Sequence, residues 1–210
     1  PLRDVYKSQL LFYYVDDIIF AFPKTDDARK EHIRIRTALL QRYPFRLLGP
    51  LNWFLGIRVV RNRSDCKLWL VQDAYINKLA SRFDLNDLSR TRLSPITDDS
   101  YFQPHDGQAS KPQIHEYLQK VGSLLYATII TRPDLAKIAN RLAEHSKNPG
   151  PQHLAAVDRT LRYLFHTRFY ALQYSAEATH EEAFIMASDA AFADLSGRHS
   201  SQGYLCKLFC

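Results

Sequence analysis

Cysteine is scarce and unpaired. Cys66, Cys206 and Cys210 are the only three, widely separated and without C-x-x-C spacing, so neither a disulfide framework nor a zinc site is expected, and a reducing, intracellular setting fits best. No apolar run approaches the roughly 18 residues of a membrane span. The longest, residues 10–15, stops at Asp16 and Asp17, which excludes a membrane partner as an expectation. A basic-then-apolar leader is lacking, as are internal repeats and low-complexity tracts. The chain begins at Pro1 without methionine and closes at Cys210 inside the apolar run 203–209, which reads as a strand cut before any turn, so a piece of a longer polypeptide is expected. What is present suffices for one domain or two: 210 residues, 46% hydrophobic and 12% aromatic, enough to bury a core. Lys and Arg outnumber Asp and Glu 28 to 22, a net charge of +6, which favours a polyanionic partner.

Along the chain, residues 10–22 read as two short buried strands joined at Asp16 and Asp17, followed by a helix capped at Thr25 or Asp26 that runs to about Tyr43 and is stopped by Pro44. Two β-prone runs, 54–60 and 67–71, flank the polar turn 62–65. Asp73 is expected to cap a helix with Ile76, Leu79, Ala80 and Phe83 on one face. Periodicity then vanishes between residues 89 and 113, a linker rich in Ser, Thr, Asp, Gly and Pro. Three helices are expected over 114–130, 134–146 and 151–166, and strands over 170–174, 183–187 and 203–209.

Asp16 and Asp17 are two adjacent carboxylates between apolar runs. A two-residue hairpin turn prefers Asn-Gly or Asp-Gly, so turn chemistry accounts for the pair poorly. Like charges held together on rigid strands repel, and a divalent cation with a preference for hard oxygen ligands relieves them. The chemical use of such a pair is phosphoryl transfer with two metal ions roughly 4 Å apart. A solvated acidic turn at a sheet rim is the alternative.

The box Tyr14-Val15-Asp16-Asp17 in a hairpin resembles the catalytic hairpin of the reverse transcriptase palm. Other stretches follow the order of the copia-type retrotransposon Pol polyproteins: Leu48-Gly49, Trp53-Phe54-Leu55-Gly56-Ile57, Gln72 with Tyr75-Ile76 and Phe83, Ser94-Pro95, Val121-Gly122-Ser123-Leu124-Leu125-Tyr126, Thr131-Arg132-Pro133-Asp134, Asn148-Pro149, and Leu161-Arg162-Tyr163-Leu164 with Thr167. Near the end, 188–194 and 198–204 resemble the opening of that group's ribonuclease H domain.

The resemblance implies an α+β chain in three parts. These are a partial palm over 1–72 with catalytic and primer-grip-like hairpins, a helical thumb or connection over 73–168, and the first strands of a ribonuclease H-like fold over 169–210. It implies Asp16, Asp17 and Asp189 as catalytic metal ligands for Mg²⁺ in a two-metal arrangement, with Mn²⁺ as a substitute. It further implies that Tyr14, Arg46, Trp53, Phe54, Leu55 and Gly56 contact nucleic acid. Partners would be an RNA template, a DNA primer, deoxynucleotides and the upstream parts of the polyprotein, in cytoplasmic particles and the nucleus. Lys137, Arg132, Arg141, Arg159 and Arg162 are candidates for added phosphate contacts.

Two departures matter. The family's third palm carboxylate lies well upstream of the box, and only nine residues precede Leu10, so the chain as it stands is expected to be inactive in primer extension. Arg46 stands where the family usually has lysine, and arginine supplies charge there without acting as a general acid. A non-catalytic remnant or reused nucleic-acid-binding fragment is the alternative function.

Overall fold

The structure, a computed structural model, describes residues 10–85, 94–95, 99–176, 184–192 and 200–208. It is mixed α+β, with five α-helices and three antiparallel sheets among the described residues. The chain divides into two compact units, Pro1–Leu51 and Asn52–Cys210.

In the first unit, β1 (Leu10–Tyr14) and β2 (Asp17–Ala21) form an antiparallel ribbon running from Leu10 opposite Ala21 to Tyr14 opposite Asp17. Helix α1 (Asp26–Arg42) starts at Thr25, whose hydroxyl accepts from the Ala28 amide, and carries Asp26 and Asp27 in its first turn, where they complement the helix dipole. It ends at Tyr43, which is extended at φ −138°, the conformation that the following Pro44 imposes. His32 on α1 stacks on Phe22 and meets the edge of Phe20, centroids 4.4 and 5.1 Å apart, so one face of the ribbon lies toward the helix. The expectation of buried strands is corrected. Leu10, Phe12 and Tyr14 are 67, 52 and 51% exposed, because a two-stranded ribbon with one helix beside it leaves a face uncovered.

In the second unit one sheet has the order β3-β4-β5-β6, comprising β3 (Trp53–Phe54), β4 (Ile57–Asn62), β5 (Lys67–Val71) and β6 (Leu172–Ser175). All neighbours in it are antiparallel. The single strand expected over 54–60 is interrupted, since Leu55 and Gly56 both have positive φ, +49° and +79°, and form a two-residue loop of the kind that matches strand twist. The next turn is built on Asn62, whose side-chain oxygen accepts from the amides of Ser64 and Asp65.

The helices are α2 (Asp73–Arg82), α3 (Lys111–Ile130), α4 (Ala136–Glu144) and α5 (Pro151–His166). Their apolar faces close one core around Ile76, Leu79, Tyr117, Leu124, Leu142 and Leu161. Helix α3 begins three residues before the expected Ile114, because Ser110 and Gln113 form a reciprocal capping box. Asp73 is the first helical residue of α2 and not its cap. The last sheet pairs β7 (Phe184–Ala191) with β8 (Ser201–Leu208), and β7 is exposed along its whole length. Among the described residues no helix is long and apolar enough to cross a membrane.

Candidate functional site

The tip of the β1–β2 ribbon is a two-residue loop of Val15 and Asp16, since Tyr14 pairs directly with Asp17. The expected joint at Asp16 and Asp17 therefore shifts by one residue. Asp16 sits in the turn and Asp17 opens β2. Val15 has φ +51°, a conformation that a β-branched side chain adopts only under constraint, at roughly 1–3 kcal/mol. Directly opposed residues of an antiparallel pair share a face, so Tyr14 and Asp17 stand together, with Phe12 and Ile19 in line behind them. Phe20, which meets His32, belongs to the other face. The Tyr14–Asp17 face is thus turned away from α1. Both aspartates and Tyr14 are exposed.

In kind, the carboxylate oxygens of Asp16 and Asp17 fit Mg²⁺, which usually takes one or two protein carboxylates and completes its octahedron with water and substrate phosphate. Among the described residues no group of three or more His, Cys, Asp or Glu could hold a metal ion. Arg46 lies in the same unit, exposed, in the segment without regular structure that follows α1.

Trp53, Phe54, Leu55 and Gly56 belong to the second unit and form the tip of the β3–β4 ribbon. Trp53 is 51% exposed and Leu55 41%, while Phe54 is half-buried. Trp53 faces Arg58 across the ribbon. The Arg58 guanidinium is held by both carboxylate oxygens of Asp73, Nε to Oδ1 at 3.0 Å and Nη2 to Oδ2 at 2.9 Å. One residue earlier, the buried Gln72 accepts from the Thr131 hydroxyl at 2.7 Å. Asp189 lies on β7 opposite Gly203 and is exposed. Asp194, in the stretch that resembles the ribonuclease H opening, lies outside the described residues.

The expectation that Arg132 contacts phosphate is corrected. It is 1% exposed and donates to both oxygens of Asp134 (2.9 and 2.7 Å), to the Thr167 hydroxyl (2.7 Å) and to the carbonyls of Thr167 (3.2 Å) and Leu164 (3.5 Å). The rings of Tyr163 and Tyr170 lie 5.6 and 5.3 Å from the guanidinium carbon. A buried guanidinium satisfied in this way has no donor left for a phosphate. Arg141 lies 4.8 Å over the Phe102 ring. Arg159 and Arg162 are half-buried with Nε unpartnered, and Lys137 is exposed.

Three further groups escape sequence reasoning. Asn148 donates to the carbonyls of His105 and Gly107 and accepts from the Ala109 amide, at 2.8–3.1 Å. It thereby fastens the second half of the expected linker to the turn before α5. His153 accepts from the Gly150 amide at Nδ1, and its Nε2 lies 2.9 Å from the Gln103 carbonyl, so the neutral ring donates there. Burial and the neighbouring His145, stacked at 3.9 Å, hold His153 below the ordinary imidazole value. Lys120 is buried between Glu116 and Asp158, at 2.6 and 2.8 Å. Burial opposes its charge, but the hydrogen bonds to Asp158 and Glu116 outweigh burial and raise its pKa.

Comparison with known proteins gives these residues a context. No family model and no solved structure matches the chain. Over 204 residues, 93% of its length, the chain is 30% identical to the retrovirus-related Pol polyprotein from transposon TNT 1-94 of Nicotiana tabacum. It is also 30% identical over 199 residues to a putative transposon Ty5-1 protein of Saccharomyces cerevisiae, and 40% identical over 93 residues to the secreted RxLR effector protein 161 of Plasmopara viticola, 44% of this chain and 64% of that one. The chain is a relative of the retrovirus-related Pol polyproteins of Ty1/copia-type transposons. It spans 15% of the length of the tobacco polyprotein and 61% of that of the yeast protein.

Proposed function

We propose that the chain is a part of an RNA-directed DNA polymerase of a copia-type element, running from the palm into the start of a ribonuclease H domain. The observation that carries this reading is the β1–β2 ribbon, whose constrained tip presents Asp16, with Asp17 beside it on the same face as Tyr14. Homology to transposon Pol polyproteins over 93% of the chain supports it.

In this reading Asp16 is the direct ligand of Mg²⁺ and Asp17 supports it, and the metal, when bound, supplies charge stabilisation at the attacking and leaving oxygens of nucleotidyl transfer. The chain's own work is positional. The ribbon fixes the two carboxylates, and the tip from Trp53 to Gly56 holds the primer end by contact and stacking. Asp189 is the first carboxylate of the nuclease.

The test is primer extension on an RNA template with Mg²⁺, using the polypeptide that also carries the upstream palm strand. Extension that disappears in Asp16→Asn is the expected result. Unchanged extension in that variant refutes the assignment. The 210-residue chain alone is expected to give none, since the described residues supply two of the carboxylates. If the longer polypeptide binds template–primer and never extends it, the alternative of a non-catalytic nucleic-acid-binding fragment replaces the polymerase reading.

A further inference from the structure

The tip from Trp53 to Gly56 is short and exposed, held in the sheet by two residue pairs, Trp53 with Arg58 and Phe54 with Ile57. Its ladder is extended by one bond from the Val59 amide to the Asn52 carbonyl. A ribbon this small does not fix its own direction. What fixes it lies at its base. Arg58, on the same face as Trp53, closes a fork on Asp73 with two bonds, 3.0 and 2.9 Å, and Asp73 is the first residue of α2. The adjoining Gln72, 1% exposed, is tied to Thr131 at the end of α3. Thr131 in turn precedes the buried Arg132. Two side-chain contacts, Arg58 with Asp73 and Gln72 with Thr131, joined through residues adjacent in the chain, therefore lead from the face that bears Trp53 to the centre of the helical unit.

We infer that Arg58 and Asp73 are positioning residues for the nucleic-acid-holding tip: their paired fork sets the direction of Trp53 relative to the helices without touching the nucleic acid. The inference rests on the reading of that tip as a nucleic-acid contact. The chemistry favours a directional role over a merely stabilising one. A fork of two parallel N–H···O bonds defines an angle as well as a distance, and the side chains are only partly shielded, 34 and 16% exposed, where an ion pair adds little stability.

The experiment is a double-mutant cycle on affinity for a labelled template–primer duplex, with the full chain at fixed salt. Trp53→Ala is expected to weaken binding roughly five- to a hundredfold, the loss of one base–aromatic stack. Asp73→Asn and Arg58→Met should each weaken it by at least about twofold in the wild-type background and have no further effect in Trp53→Ala, the coupling expected of residues that act as a unit. The exchanged pair, Arg58→Asp with Asp73→Arg, should regain part of the loss, and the thermal midpoints of the single variants should stay close to that of the wild type. Equal losses in both backgrounds, or no loss in the wild-type background, overturn the positioning role while leaving the tip as a contact. Intact binding in Trp53→Ala overturns both.

Discussion

Arg132→Met should cost the Asn52–Cys210 unit about 3 kcal/mol, the low end of what is lost when one partner of a buried charge pair is removed. The value follows from the partners. Arg132 is 1% exposed and makes five hydrogen bonds. Asp134 is 40% exposed on its side chain, so its carboxylate regains water when the guanidinium goes. The Thr167 carbonyl keeps the Tyr170 amide, and the Thr167 hydroxyl keeps the Tyr163 carbonyl. The Leu164 carbonyl, at the weakest of the five contacts, loses its guanidinium donor. The guanidinium also spans from the start of the 3-10 turn before α4 to the end of α5, so the tie between these two segments is lost. Arg132→Lys keeps the charge and cannot reach Asp134 and the α5 end together, and about half the loss is expected. Both tryptophans, Trp53 and Trp69, lie in this unit, so urea unfolding followed by tryptophan fluorescence reports on it alone. For a unit of this size the loss corresponds to a fall of about 6–12 °C in Tm. A Met variant within about 0.5 kcal/mol of wild type, the range of an ordinary surface substitution, refutes the account of Arg132 as the central tie.

Stability should fall in mild acid. His153 and His145 both titrate below the ordinary 6.5 because burial disfavours their charged forms, with His145 adding to the effect at His153 and Arg141 at His145. A depressed imidazole pKa means that the unfolded chain takes up the proton first, so this contribution is full above 6.5 and is lost as pH falls through the lower folded value. His153→Gln keeps an acceptor for the Gly150 amide, as glutamine does at the third position of a capping box, and should flatten the Tm–pH profile between about pH 7 and 5 to what His145 leaves. An unchanged slope counts against it. Asn148→Ala removes three hydrogen bonds to residues 105–109 and should cost about 2 kcal/mol, with earlier proteolytic cleavage near Gly107 as the readout. Gly56→Ala places a side chain at φ +79° and should destabilise the tip by about 1 kcal/mol, measured as a lower urea midpoint.

Helix ends were the most legible features because their signals are local. Thr25 and Pro44 bracket α1, and Pro151 opens α5 directly after Asn148-Pro149-Gly150. The turn at Leu55 and the one at Val15 were not legible, since leucine and valine rank among the residues least expected at positive φ, and only Gly56 hints at the first. Burial of β1 and β2 was misjudged because an apolar run shows what could be covered and not what covers it. Arg132 was misjudged for the opposite reason. Its partners Leu164 and Thr167 lie 32 and 35 residues away, and nothing in Thr131-Arg132-Pro133-Asp134 indicates that the guanidinium turns inward. Of the candidate site, the residue types at Asp16 and Asp17 were legible, while their division between turn and strand depended on register.

The stretches through which this sequence resembles copia-type Pol polyproteins are largely not the ones that would carry out their chemistry. Thr131 bonds to Gln72, Arg132 to Asp134 and Thr167, and Asn148 to residues 105–109, so four separated stretches are the interlocking parts of one helical unit. Losing any of them disrupts packing, which constrains them whether or not the polypeptide polymerises. Asp16 and Asp17 are different. They are exposed at a ribbon tip, and replacing either with asparagine would leave every contact of the helical unit in place. The contacts of Thr131, Arg132 and Asn148 therefore belong to the scaffold, and the chemistry is to be decided at those two carboxylates. An Asp16→Asn substitution that leaves urea stability unchanged and abolishes extension in the longer polypeptide would separate the two contributions.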